Sequence, residues 1–200
     1  AEPGVQLYYA GDTEFQRPQT ALIYRFVPIR KVGSLESAAL LRLYGVCLND
    51  ALDAAAGDAS LAGLEFSTET TLENLRFSIS GFGDAPIRYA TFVAGQLRSF
   101  TLTPARFDAV KESALRSLRS YAETEAYLLA RDRRDAFVRE FQFLPDEFIP
   151  YITRATFADV QSFAQNFFAS GKIEAVIHSH LAPDDAVSAL RDISSKIGAK

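Results

Sequence analysis

The sequence predicts an α+β domain in which a mainly antiparallel sheet packs against several helices. Three observations lead there. Strand-like and helix-like stretches come in runs rather than in strict β-α-β alternation. Residues 64–80 hold two arms of period-two patterning joined by a short connection. From residue 84 to residue 197 apolar residues recur mostly at helical spacing, interrupted by one β-rich run.

Val5 to Tyr9 is a short β-rich run followed by a turn at Gly11 and Asp12. Thr20 to Pro28, bounded by Pro18 and Pro28, is rich in β-branched and aromatic residues and reads as a second strand. Ile29 to Gly33 connects it to a helix over Ser34 to Leu52. Ser34 is the N-cap there, Ser37 leaves the capping box incomplete, and Glu36 suits the helix dipole. Leu40, Leu41, Leu43, Tyr44, Cys47, Leu48, Ala51 and Leu52 give that helix a broad apolar face, and Ala54 to Gly57 is expected to end or fray it.

After a turn at Gly63, Leu64, Phe66, Thr68 and Thr70 alternate with Glu65, Ser67 and Glu69. Leu75, Phe77 and Ile79 then alternate with Arg76, Ser78 and Ser80. This is the pattern of an antiparallel hairpin with one wet face, turning at Leu72-Glu73-Asn74. Asp84 caps the next helix, with Pro86 inside its start, and that helix runs to about Phe100 with Ile87, Ala90, Val93, Ala94 and Leu97 inward. Thr103 and Pro104 open another, which buries Phe107, Val110, Ala114, Leu115 and Leu118. Ala122 to Phe143 keeps a helical pattern but is highly charged. Pro145 and Pro150 mark a loop. Thr156 starts a helix with Val160, Phe163, Ala164, Phe167 and Phe168 buried, ending near Gly171. Ile173 to Ile177 is a last strand and Asp184 to Ile197 a last helix.

Two hundred residues can build one sizeable core or at most two small ones. With 48% hydrophobic residues, 16 Phe and 8 Tyr, the composition argues against disorder. A net charge of −4 gives no general attraction to nucleic acid or an anionic membrane. The single cysteine, Cys47, excludes an internal disulfide, and no apolar run approaches the roughly 20 residues of a membrane span. The chain begins Ala1-Glu2-Pro3-Gly4, without a signal-peptide pattern, contains no methionine, and reads as a strand almost at once. The expectation is a single domain, residues 1–200, taken from a larger protein.

Candidate chemistry is sparse. His178 and His180 share one face of the last strand, a spacing that can chelate a metal, but a structural zinc wants four ligands and the favoured reading is a bland strand end. Cys47 lies on an apolar helix face with no positive charge or helix N-terminus near to activate it. Ser78 and Ser80 lie near glycines but form no Gly-x-Ser-x-Gly elbow. Gly81-Phe82-Gly83 is a fragment of a phosphate-binding loop and reads as a turn. The acidic pairs Glu123/Glu125 and Asp184/Asp185 read as solvated faces or caps. Arg131, Arg133 and Arg134 could meet an acidic partner, a reading weakened by the interleaved Asp132 and Asp135. These residues assign no catalytic, metal-binding or cofactor-binding position.

Three stretches, in order and spacing, resemble the M16 zinc metallopeptidases of the pitrilysin and insulin-degrading enzyme (insulysin) type. They are Leu7-Tyr8-Tyr9 through Phe26, Leu61-Ala62-Gly63-Leu64-Glu65-Phe66 through Phe82, and Pro104-Ala105-Arg106-Phe107 through Leu118. Ile173 to His178 also looks like the last strand of such a domain. Ser179 departs from the pattern, where glycine is expected after His178, and this leaves the end of that strand open.

The resemblance implies an M16 peptidase-like (LuxS-metallohydrolase-like) fold and a place in a long protein of four homologous domains that close like a clamshell around a peptide. Only the first domain of that family carries His-x-x-Glu-His and a distal glutamate for zinc. The corresponding helix here, Ser34 to Leu52, offers Ala39, Leu40, Leu41, Arg42 and Leu43. The chain is therefore expected to be the third domain, without catalytic residues, walling a chamber for peptides beside the remaining domains, with zinc held in the N-terminal domain. The alternative is a zinc-free structural or partner subunit of a heteromer. A stand-alone small-molecule enzyme would need a convergent polar cluster that the sequence does not offer. Relatives lead to a periplasmic expectation, with the cytoplasm as alternative.

Overall fold

A computed structural model describes residues 4–13, 15, 17–30, 32–139 and 142–198. The described residues form five strands, β1 (Val5–Gly11), β2 (Gln19–Pro28), β3 (Glu65–Thr70), β4 (Leu75–Phe82) and β5 (Gly171–Ser179). The helices are α1 (Leu35–Leu61), α2 (Ala85–Gln96), α3 (Pro104–Arg119), α4 (Ala126–Val138), α5 (Ile149–Arg154), α6 (Phe157–Phe167) and α7 (Pro183–Ile197). The strands make one sheet in the order β1-β5-β2-β4-β3. Three pairings are antiparallel, and β1 runs parallel to β5.

The sheet follows from period-two patterning. Leu22, Tyr24 and Phe26 of β2, Leu75, Phe77 and Ile79 of β4, and Ile173, Ala175 and Ile177 of β5 all turn to one side and are buried under the helices. β2 lies between β4 and β5, so its apolar residues sit at the centre of the core. The expected hairpin is β3–β4, closed where Thr71 N donates to Asn74 O at 2.8 Å.

Capping residues start the helices where the sequence places them. Ser34 Oγ accepts from Ser37 N at 3.1 Å and Thr103 Oγ1 from Arg106 N at 3.3 Å. Thr156 and Asp159 form a reciprocal capping box. Asp84 behaves differently: its carboxylate makes no cap bond and instead accepts from Arg88 Nη1 at 2.6 Å.

Several boundaries differ from expectation. α1 does not stop near Leu52 but continues to Leu61. Ala54, Ala55 and Ala56 are the strongest helix formers and carry the helix through Gly57, whose cost is about 1 kcal/mol. Beyond its last residue the chain turns away at Gly63, whose φ of +79° is open to glycine and strained for other residues. The charged stretch is helical only over Ala126–Val138, after a 3-10 turn at Ser120–Glu123; Phe143 lies outside it, and residues 140 and 141 are outside the described residues. Pro150 opens α5 rather than a loop, since its missing N–H costs nothing in a first turn. Gly81 and Phe82 belong to β4. Phe163 is half-buried.

The end of β5 is fixed by a buried hydroxyl pair. Thr20 Oγ1 donates to Gly83 O at 2.7 Å, so the Ser179 hydroxyl, 3.1 Å away, donates to Thr20 Oγ1. Ser179 Oγ also accepts from Leu181 N at 2.9 Å. The serine that stands where glycine was expected thus closes a satisfied polar network, and the strand ends at Ser179 itself.

Gly171 begins β5 against Phe26. A Cβ there would run into the Phe26 ring and lie 2.8 Å from Val27 O. Phe26 is fully buried and cannot yield. Gly171→Ala is expected to lower unfolding stability by about 1–3 kcal/mol, measured by urea denaturation. Gly81→Ala, whose new methyl overlaps the flexible end of Leu64 and comes no nearer than 3.3 Å to the Gly63 carbonyl, should cost less.

Burial also sets a pH response. It pushes the Cys47 thiol from 9.0 up to about 12, with the Asp50 charge adding to the effect, and it raises the Tyr24 and Tyr44 phenols well above their ordinary 10.0. The folded chain keeps these groups protonated while the unfolded chain would ionise them. Their stabilisation is present in full below pH 9 and is lost as pH rises from 9 towards 12. Denaturation midpoints should fall across that window, and the native thiol should resist alkylation at about pH 8.

Candidate functional site

The outward positions of the strands form a surface that no helix covers among the described residues. Pairing register sets them in rows across the sheet. One row runs Ala10, His178, Ala21, Ser80, Glu65. The next runs Tyr8, Val176, Ile23, Ser78, Ser67, and a third runs Gln6, Glu174, Arg25, Arg76, Glu69.

The middle row is apolar on three adjacent strands. Tyr8 is 55% exposed, and Val176 and Ile23 are 45% exposed each. The third row is ionic. Arg25 and Arg76 stand opposite each other on β2 and β4, and each is held by a carboxylate: Arg25 by Glu174, and Arg76 Nη2 by Glu69 Oε2 at 2.6 Å. Such exposed pairs contribute about 1 kcal/mol at most, so they shape the surface more than they stabilise it. A flat face with an apolar stripe and a charged border is suited to contact with another polypeptide.

The sequence candidates do not converge on a reaction centre. His178 projects from the open face between Ala10 and Ala21, and His180 lies exposed just past the strand. Among the described residues no group of three or more His, Cys, Asp or Glu side chains is placed to hold a metal ion. Ser78 and Ser80 lie on the open face, and Ser80 Oγ donates to Glu65 Oε2 at 3.3 Å rather than to an imidazole. Cys47 is buried in α1, and its raised pKa keeps it a thiol. Gly83, with φ of +64°, turns the chain after β4. Glu123 and Glu125 flank the turn before α4, and Asp184 and Asp185 occupy the first turn of α7, where negative charge suits the dipole.

Arg131, Arg133 and Arg134 are exposed on α4, while Asp132 and Asp135 are turned partly inward. The helix that the resemblance matches to the zinc-binding one is lined with core: Leu41, Leu43, Tyr44, Cys47, Leu48 and Leu52 are all buried. The sequence announces a wet face for the β3–β4 hairpin but not its apolar stripe across β1, β5 and β2. Its signal was there in Tyr8, Ile23 and Val176, apolar residues at the outward positions of alternating strands.

Several known proteins are similar to this chain in sequence and fold. Residues 1–150 match the family profile described as the middle or third domain of peptidase M16. Human insulin-degrading enzyme is 22% identical over 193 residues, covering 96% of this chain and 19% of that protein. The A-factor-processing enzyme of Saccharomyces cerevisiae is 24% identical over 182 residues, 91% of this chain and 18% of the relative. Pitrilysin superposes with a TM-score of 0.84 at 18% identity, covering 100% of this chain and 21% of that one. A peptidase M16 inactive domain from Pseudomonas fluorescens gives 0.74 at 16% identity, covering 96% and 48%. The chain spans about a fifth of the length of the curated relatives it matches.

The outward setting of Ile23 is directly testable. Ile23→Lys should change urea-unfolding stability by less than about 0.5 kcal/mol. Leu22→Ala, one residue away and facing the helices, should cost about 2–5 kcal/mol. Equal losses would mean that the sheet is covered on both sides within the domain.

Proposed function

Because the chain belongs to the peptidase M16 family, matching its middle or third domain, we propose that it is a non-catalytic wall domain of a zinc metalloendopeptidase that encloses peptides. The observation that carries this reading is the buried apolar face of α1. A zinc site of the His-x-x-Glu-His kind needs two imidazoles one helical turn apart with a carboxylate beside them. Here the helix in that place commits Leu41, Leu43, Tyr44, Cys47 and Leu48 to the core, so ligands there would cost the domain its packing. Zinc and the carboxylate base would come from another domain of the same polypeptide. This segment would enclose the substrate and support its neighbours, and the open sheet face offers a surface for that contact. Relatives carrying the name zinc protease, including one from Schizosaccharomyces pombe, support the metal assignment for the parent.

A second reading is a zinc-free partner subunit in an M16-like heteromer. It draws support from the solved structure described as a peptidase M16 inactive domain from Pseudomonas fluorescens.

The native polypeptide, detected with an antibody against this segment, should be several times larger than 22.0 kDa. After purification it should hold about one zinc ion per chain and lose peptidase activity with chelation. A native mass near 22.0 kDa would remove the multidomain reading. A large protein without zinc would favour the partner-subunit reading.

A further inference from the structure

α4 is a helix without a core. None of its 13 side chains is buried. A helix of that length is marginal in water unless packing holds one of its faces. Its ties to the rest of the domain are slight. Leu128 and Leu129 are half-buried, and the Tyr121 hydroxyl donates to Asp132 Oδ2 at 3.3 Å. Beneath it lies a cavity of about 350 Å³, whose lining includes Leu41, Arg42, Thr70, Leu72, Asp132 and Phe148.

The outer side of α4 is unlike a solvated face. Phe137 is 93% exposed, Val138 71% and Tyr127 66%. Tyr127, Arg131, Arg134 and Val138 follow one another at steps of three or four residues, with Phe137 beside them, and so form a single stripe. The interleaved aspartates do not share it. Asp132 is turned to Tyr121, and Asp135 is half-buried. Arg131 and Arg134 each hold the carboxylate that follows them, at 3.0 and 2.6 Å. The arginine ends of these pairs are exposed, and pairs of this kind are weak enough to be exchanged for a partner's carboxylates. Over residues 126–139, four arginines against two aspartates give a charge of +2, and with −4 for the whole chain the remainder carries −6.

We propose that this arginine-aromatic stripe docks into an acidic, apolar-lined groove on the part of the full-length protein that lies outside these 200 residues. The proposal rests on the reading of the chain as one domain of a larger peptidase. Arginine and aromatic side chains are the groups that anchor interfaces most strongly. The chain spans about a fifth of the length of its relatives, so a covalently linked neighbour would be present at high effective concentration. An anionic membrane is a poorer occupant, because the −6 on the rest of the chain would be repelled by it.

The test is hydrogen exchange by mass spectrometry on the full-length protein, in the wild type and two variants. Amides of residues 126–138 should exchange at least about tenfold more slowly in the wild type than in Phe137→Asp. The double variant Arg131→Glu/Arg134→Glu should lose protection to a similar degree. Exchange over residues 22–26 should stay unchanged in both variants, which shows that the fold is intact. Wild-type amides near the unprotected rate would overturn the proposal. So would protection that survives charge reversal, or full-length protein that floats with vesicles of phosphatidylserine and phosphatidylcholine through α4. Zinc content read on the same sample keeps the two readings apart. A zinc-free protein with a protected α4 counts against the peptidase reading alone, and a zinc-loaded protein with an unprotected α4 counts against the docking alone.

Discussion

Phe26 is the point at which the sheet and the helices lock together. It sits near the end of the central strand, fully buried, with the Phe168 ring 4.9 Å and the Phe167 ring 5.7 Å away between centroids. Phe168 in turn meets Tyr44 of α1 at 6.0 Å, and the Tyr44 hydroxyl donates to Leu97 O at 2.9 Å. One chain of aromatic contacts therefore ties β2, α1, α6 and the end of α2. Tilted ring pairs of this kind add to the large apolar area each ring removes from water. The same packing leaves room only for glycine at residue 171 and so fixes where β5 begins.

Placing all this burial on one side of the sheet has a direct consequence for the other side. The outward residues are released from packing, and their rows are free to carry a stripe of Tyr8, Val176 and Ile23 bordered by ion pairs. α1 has turned its apolar face into the core, with Leu41, Leu43, Tyr44, Cys47, Leu48 and Leu52 all buried. On the reading proposed above, function would fall to surfaces such as the open sheet face, which would meet other polypeptides.

Much of the fold was legible in the sequence because its signals are local. The caps at Ser34, Thr103 and Thr156 are set by side chains bonding their own backbone a few residues on. The β3–β4 hairpin is written in alternation and a short turn. The parallel partnership of β1 with β5 joins segments more than 160 residues apart, and no local pattern encodes it. The true end of α1 was hidden because Gly57 looks like a stop when read alone, while three preceding alanines outweigh it. The candidate surfaces were half legible. Alternation announces one wet face without saying whether a helix will cover it. The run Arg131-Asp132-Arg133-Arg134-Asp135 reads as charge alone, and only the helix sets Arg131 and Arg134, still paired with Asp132 and Asp135, in one stripe with Tyr127 and Val138.

α1 has a mechanical meaning as well. Its 27 residues make a rod about 40 Å long. It touches β3, α2, α3, α5 and α6, so one sheet edge and four helices lean on it. In a larger assembly of the kind proposed above, such a rod would leave opening and closing to the segments that join the domain to its neighbours.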